Sequence, residues 1–154
     1  MGFACKAFFI FCLHINYESK ISLATYATNT QRDLLIATIV LEAGGEGYHG
    51  MVAVANVIDN RAKKSHTSHY KVVRKPMQFS ALNGRTNHEV ICLAKGHKLW
   101  NVAADIVDQM LAGELTDITS GADHYHAIRI TPKWSYKMTQ TCTIKHHKFY
   151  RSNT

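Results

Sequence analysis

The sequence predicts an α+β fold in which a helical lobe and a small C-terminal β part flank a cleft. Three patterns carry that expectation. Residues 34–41 are apolar nearly all round, as in a buried helix. Met51, Val54, Ala55 and Ile58 fall at i, i+3, i+4 and i+7, the spacing of one helical face. Near the other end, Thr139, Thr141 and Thr143 alternate with Gln140, Cys142 and Ile144, the two-residue period of a strand.

Taken in order, Thr30 and Asp33 resemble a capping box for the first helix, with Asp in place of Glu, and Gly44-Gly45 ends that helix. A second helix is expected from about residue 47 to 63, with Asn56, Asp59, Asn60 and Arg61 facing away from its apolar stripe. Residues 64–88 read as polar, turn-rich loop broken by Pro76 and Asn83-Gly84. A third helical region covers about 89–111, weakened near Gly96, with Ala103, Ile106, Val107, Met110 and Leu111 as its core stripe and Gly113 as its stop. Residues 122–150 are rich in His, Tyr, Thr and Trp.

A chain of 154 residues is expected to hold one substantial domain, here residues 28–154. The N-terminal stretch, residues 1–27, reads as a leader or signal-like segment. Lys6 precedes an apolar run over residues 7–13, far short of the ~20 residues a membrane span needs. No small-x-small cleavage site follows, and Lys6 stands where a myristoylation pattern wants Ser or Thr. Of the four cysteines, Cys5, Cys12, Cys92 and Cys142, none forms a C-x-x-C pair, so a zinc knuckle is not expected. Cys92 and Cys142 are expected as buried free thiols, with a disulfide between them as the alternative.

The net charge is +7, from 18 Lys and Arg against 11 Asp and Glu. A basic chain seeks a polyanion, and charge by itself does not choose among nucleic acid, an anionic membrane and an anionic cell wall.

Glu42 is the first candidate for chemistry. It stands at the end of an apolar helix, before Ala43-Gly44-Gly45, whose small residues leave space beside it. Desolvation and a helix C-terminus both favour the neutral form of such a carboxyl, which suits a general acid. Glu46, four residues on, either pairs with it for two-carboxylate glycoside hydrolysis or simply occupies the first turn of the next helix. Gln78-Phe79-Ser80 after Pro76 combines an amide, a ring and a hydroxyl, the equipment of a sugar-binding loop. His124-Tyr125-His126 reads as an aromatic wall beside a cleft. In an extended chain His124 and His126 point to one side, so zinc binding completed by Asp123, His146 or His147 is the alternative. No HExxH spacing supports a metal, and neither Ser80 nor Ser135 lies in a G-x-S-x-G context.

Together these blocks resemble the SleB/CwlJ-type cell wall hydrolases. The stretch from Glu42-Ala43-Gly44-Gly45-Glu46 through Val52-Ala53-Val54-Ala55 to Asn60-Arg61 is similar to the family's opening signature, EARGE followed by G-x-VAVA-x-V-x-x-NR. Pro76-Met77-Gln78-Phe79-Ser80 resembles P-x-QFS, and Leu111-Ala112-Gly113 the end of the middle helix. Gly121 to His126 resembles GA-x-HYH, Pro132-Lys133-Trp134 P-x-W, and Ile144 to Tyr150 I-G-x-H-x-FY. The resemblance covers about residues 33–151. Departures are Gly44 for the family's Arg, Leu41 for the Gly before the first Glu, and Lys145 for the Gly after Ile.

The resemblance implies a lysozyme-like, lytic transglycosylase-like domain acting on peptidoglycan without a cofactor. Glu42 would protonate the glycosidic oxygen and then take a proton from the muramic acid 6-hydroxyl, closing a 1,6-anhydro ring. Gln78, Ser80, His124, Tyr125 and Trp134 would line the glycan cleft, beside Phe79 and His126 of the same motifs. The expected partner is the glycan strand, not nucleic acid, with no stable membrane span and a monomeric chain. Its small size is more like a phage lysin than a spore enzyme. Two rivals stand beside this reading: a zinc-dependent N-acetylmuramoyl-L-alanine amidase using His124 and His126, and a non-catalytic basic module binding cell wall or nucleic acid.

Overall fold

The computed structural model of the protein describes residues 28–153. The chain divides into two compact units, Met1–Gln31 and Arg32–Thr154. The expected leader over residues 1–27 lies outside the described residues, as do Cys5 and Cys12. Of the first unit only residues 28–31 are described, and they are helical. Thr30 therefore lies within a helix rather than at its cap, which corrects the capping box read at Thr30 and Asp33.

The second unit opens with α1, residues 32–43. Leu34, Ile36, Ala37 and Ile39 are fully buried, as an apolar run requires. Thr38 is buried among them at no polar cost, because its hydroxyl donates to the Leu34 carbonyl at 2.7 Å. A 3-10 turn, Gly44–Glu46, joins α1 to α2, Gly47–Lys64.

Helix α2 is the axis of the unit, and every residue from 50 to 59 is buried. The sequence placed Asn56 and Asp59 on an outward face; both are enclosed. Their partners explain why this is tolerated. The Asn56 amide donates to the Thr116 carbonyl at 3.2 Å and accepts from the Ile118 N–H at 3.0 Å. Asp59 meets His69 at 2.9 Å and Lys63 at 2.6 Å. Buried polar groups persist where their hydrogen bonds are made, and here they tie the connecting segments to the central helix.

The stretch read as continuous loop contains α3, His69–Arg74, capped by the Ser68 hydroxyl and burying Val72 and Val73. The single helix expected over 89–111 is two helices, α4, Asn87–Lys95, and α5, Trp100–Ala112. A capping box does start α4: Glu89 N–H donates to the Thr86 hydroxyl at 3.3 Å, and Thr86 N–H donates to the Glu89 carboxylate at 2.7 Å. Gly113, at φ 74°, ends α5 in the left-handed conformation.

Three strands complete the unit: β1, His124–Ala127, β2, Thr139–Ile144, and β3, His147–Arg151. They form an antiparallel sheet in the order β1-β3-β2, with His124 opposite Tyr150 and Ala127 opposite His147. One face packs Tyr125, Cys142, Ile144 and Phe149 against Ala53 and Val57 of α2. The other carries an aromatic layer in which His126 and Trp134 both contact Tyr150. Cys92 and Cys142 are both free thiols; Cys142 is half-buried, whereas Cys92 is exposed, contrary to the expectation of burial. Among the described residues no helix is long and apolar enough to cross a membrane.

The β2–β3 turn holds Lys145 at φ 51°, a left-handed conformation that suits glycine. It is one of the two positions where the sequence departs from a Gly of the pattern it resembles. Lys145→Gly is expected to raise stability by up to about 1 kcal/mol by relieving the Cβ clash, read as a higher thermal midpoint. An unchanged or lower midpoint would show that the turn is not strained.

Candidate active site

Glu42 occupies the last turn of α1 and is half-buried. Donors from two other parts of the chain converge on its carboxyl. Oε1 accepts from the Ser80 hydroxyl and from the Ala81 N–H, each at 3.3 Å. Oε2 accepts from the Tyr125 hydroxyl at 3.0 Å.

Each donor is fixed by packing. Phe79 is 1% exposed and anchors the loop, so that the 3-10 turn Ser80–Leu82 presents a hydroxyl and an N–H to Glu42. Phe79 was expected to face substrate; its ring is instead buried beneath the Arg61 guanidinium, 5.5 Å from the ring centre. Tyr125 lies on the inner face of β1, stacked on Phe149 at 5.7 Å and met edge-on by His147 at 5.3 Å. Burial, then the Glu42 charge and hydrogen bond, hold the Tyr125 phenol well above its usual range, so it remains a protonated donor.

Glu46 is employed differently. Its carboxylate accepts from the His146 N–H at 2.9 Å and faces the His146 ring nitrogen at 3.1 Å, fastening the β2–β3 turn to the start of α2. Burial alone would raise its pKa, but the bonds from His146 outweigh burial and lower it, so Glu46 is held as an anion. The charge of the neighbouring His147 also lowers the Glu46 pKa, while burial lowers the pKa of His147 itself below the ordinary histidine value.

Gly50 makes that placement possible. A Cβ at Gly50 would lie 2.2 Å from the Glu46 Cβ. Gly50→Ala is therefore expected to push Glu46 off His146 and to cost about 1–3 kcal/mol, the usual range for overpacking. Denaturant midpoints measure it. A midpoint equal to that of the parent would refute the account of Gly50.

Not all the expected residues meet at Glu42. Ser80 and Tyr125 do. Gln78 and His124 line a neighbouring cavity of about 790 Å³ together with Arg61, Lys64, Tyr70 and Lys71. His126 is 8% exposed, and it and Trp134 belong to the aromatic layer on the other face of the sheet. His126 Nδ1 donates to the Ala127 carbonyl at 2.9 Å, and Nε2 pairs with the Tyr150 hydroxyl at 3.0 Å, so neither nitrogen faces open space. His124 Nδ1 faces Asp123 at 2.8 Å. Among the described residues no three His, Cys, Asp or Glu side chains are grouped to hold a metal ion.

Two contributors escaped the sequence reading. The Ala81 N–H is backbone and leaves no signature in residue type. Arg61, expected to face outward, turns inward, and its Nε donates to the Asp123 carbonyl at 2.6 Å. Its place in the Asn60-Arg61 motif was the available signal. The resulting arrangement is one half-buried carboxyl held at both oxygens by three uncharged donors, a group able to give up a proton and take one back.

The Cell Wall Hydrolase family matches residues 45–150 of the chain, a span beginning just after Glu42. Two solved structures are similar. One is the catalytic domain of the germination-specific lytic transglycosylase SleB from Bacillus anthracis. It is 26% identical with a TM-score of 0.64, over 79% of this chain and 94% of that one. The other is the catalytic domain of the Bacillus cereus SleB protein, 28% identical with a TM-score of 0.63, over 80% of this chain and 91% of that one. None of the curated proteins matches the sequence significantly.

Proposed function

The chain belongs to the cell wall hydrolase family, and from that premise we propose that it cleaves peptidoglycan glycan strands as a lytic transglycosylase, with Glu42 as its acid. The single observation that carries this reading is the grouping of Ser80, Ala81 and Tyr125 on Glu42 while Glu46 is engaged with His146. One carboxyl held only by uncharged donors suits a reaction in which the same group serves first as acid and then as base.

The protonated Glu42 gives its proton to the oxygen joining muramic acid C1 to the next N-acetylglucosamine, and the C1–O bond breaks. The leaving sugar departs with a free 4-hydroxyl. The Glu42 carboxylate then takes the proton of the muramic acid 6-hydroxyl as O6 bonds to C1, closing the 1,6-anhydro ring. No water is consumed and Glu42 ends protonated, ready for another turn. Between the two transfers the anion is held by the Ser80 hydroxyl, the Ala81 N–H and the Tyr125 hydroxyl, donors already oriented before the charge forms. Glu46 serves as a positioning residue that keeps the β2–β3 turn, and through it the sheet bearing Tyr125, against α2. The catalytic domain proposed for this activity is residues 28–154, acting on the cell wall.

Mass spectrometry of fragments released from purified sacculi tests the reading. Anhydro-muramic ends, still released in excess chelator, are the expected result. Reducing ends would mark a hydrolase. Free stem peptides, lost on chelation and restored by zinc, would mark the amidase instead.

A further inference from the structure

The cavity beside the candidate site has a chemistry that glycan cleavage alone does not require. Arg61, Lys64, Lys71, Arg74 and Lys75 line it, against Asp123 as the sole acid. Asp123 is already engaged by Lys64 at 2.9 Å and by His124 at 2.8 Å. Among the described residues Lys71, Arg74 and Lys75 have no carboxylate partner. Like charges crowded around one concavity repel, and an anionic guest relieves that repulsion. The same walls carry Tyr70 and Gln78, whose hydroxyl and amide can bond a peptide backbone.

Position narrows the guest. The cavity adjoins the Glu42 cluster at two points: Gln78 stands two residues before Ser80, and Arg61 of its wall interacts electrostatically with Tyr125. Arg61 lines the cavity while lying over the ring of Phe79. A muramic acid held with its C1–O bond at Glu42 carries a lactyl group and stem peptide on its own ring, and a basic cavity walled by residues of the same loop is a fitting host for that peptide. The stem peptide bears several free carboxylates.

We propose that the cavity lined by Arg61, Lys64, Lys71, Arg74 and Lys75 binds the carboxylate-bearing stem peptide of the muramic acid being cut. The proposal rests on the glycan-cleaving reading of Glu42 and adds that the enzyme selects peptide-substituted over bare strands. Lys71 and Lys75 are exposed, so each contributes modestly, and together they are worth about tenfold in kcat/KM.

The test compares two substrates, sacculi with intact stem peptides and sacculi freed of them by an amidase, both first stripped of phosphate-bearing wall polymers. Release of anhydro-muramic ends is measured for the parent and for Lys71→Gln/Lys75→Gln. The expected result is a parent preference of about tenfold for the peptide-bearing wall, falling towards unity in the double variant. Equal rates on both walls, or a preference untouched by the substitutions, would overturn the proposal. So would a preference present only on unstripped walls, which would assign the cavity to phosphate. If the parent releases no anhydro ends from either wall, the glycan-cleaving reading itself fails and takes this proposal with it.

Discussion

Glu42→Gln is expected to leave a folded protein that no longer releases fragments from sacculi. The amide keeps the size and most of the bonding: its oxygen can accept from Ser80 and Ala81, and its NH2 can donate to the Tyr125 oxygen, which accepts as well as donates. What it lacks is a proton that leaves and returns. General acid–base catalysis contributes roughly 10²–10⁴-fold, and one group carrying both transfers places the loss at or beyond the upper end. Thermal midpoints should stay at or above the parent value, because active-site carboxyls are often held at a cost in stability. Glu46→Gln supplies the contrast. It weakens the grip on His146 and should lower activity less. A Glu42→Gln protein that clears sacculi at the parent rate, beside a dead Glu46→Gln, would move the acid to Glu46.

The second large effect concerns stability. Asp123 is 4% exposed and accepts from the Ser152 N–H at 2.9 Å, the Ser152 hydroxyl, Lys64 and His124. Burial alone would raise its pKa. The Ser152 hydroxyl, His124 and Lys64 outweigh burial and hold the carboxyl well below the usual range. Asp123→Ala leaves these donors facing a hole. Breaking a buried ion pair costs about 3–5 kcal/mol, and because Lys64 is half-exposed and keeps its water, about 3 kcal/mol is expected. That corresponds to a fall of the order of 10 °C in thermal midpoint. A folded-state pKa below the unfolded value of about 3.9 gives stability that is full above that value and lost as pH falls through the folded one. The gap between parent and variant should therefore be wide at neutral pH and narrow below about pH 4. A gap equally wide in strong acid would mean that packing, not charge, is what Asp123 supplies.

Much of this was legible in residue order, and the part that was not has physical causes. The apolar run before Glu42 and the helical spacing of Met51, Val54, Ala55 and Ile58 reported burial directly, and α1 and α2 formed there. Asn56, Asp59 and Arg61 were misplaced because polarity was read as exposure, whereas α2 is enclosed on all sides from residue 50 to 59 and its polar groups find partners in Ile118, His69 and Asp123. Helix α3 is too short for a periodic signal; it is held by the Ser68 cap and two valines. Gly96 marked a weakness, but the full break between α4 and α5 also involves His97, whose ring accepts the Leu99 N–H at 3.1 Å. At the site, Glu42 stood out by its place in the chain, and the donors around it did not. Ala81 acts through its backbone. His124, Tyr125 and His126 alternate across β1, so a motif that is continuous in sequence is divided between two faces of the sheet.

The strand order β1-β3-β2 governs when the site exists. Tyr125 is held in place by β1, and β1 pairs in the sheet only with β3. On a nascent chain, Glu42, Ser80 and Ala81 are made early, but the strand that positions Tyr125 appears about twenty residues after it and must then slot between β1 and β2. Until Phe149 is in the sheet, the Glu42 carboxyl lacks its third donor. Removing β3 would therefore leave β1, and Tyr125 with it, without its partner strand.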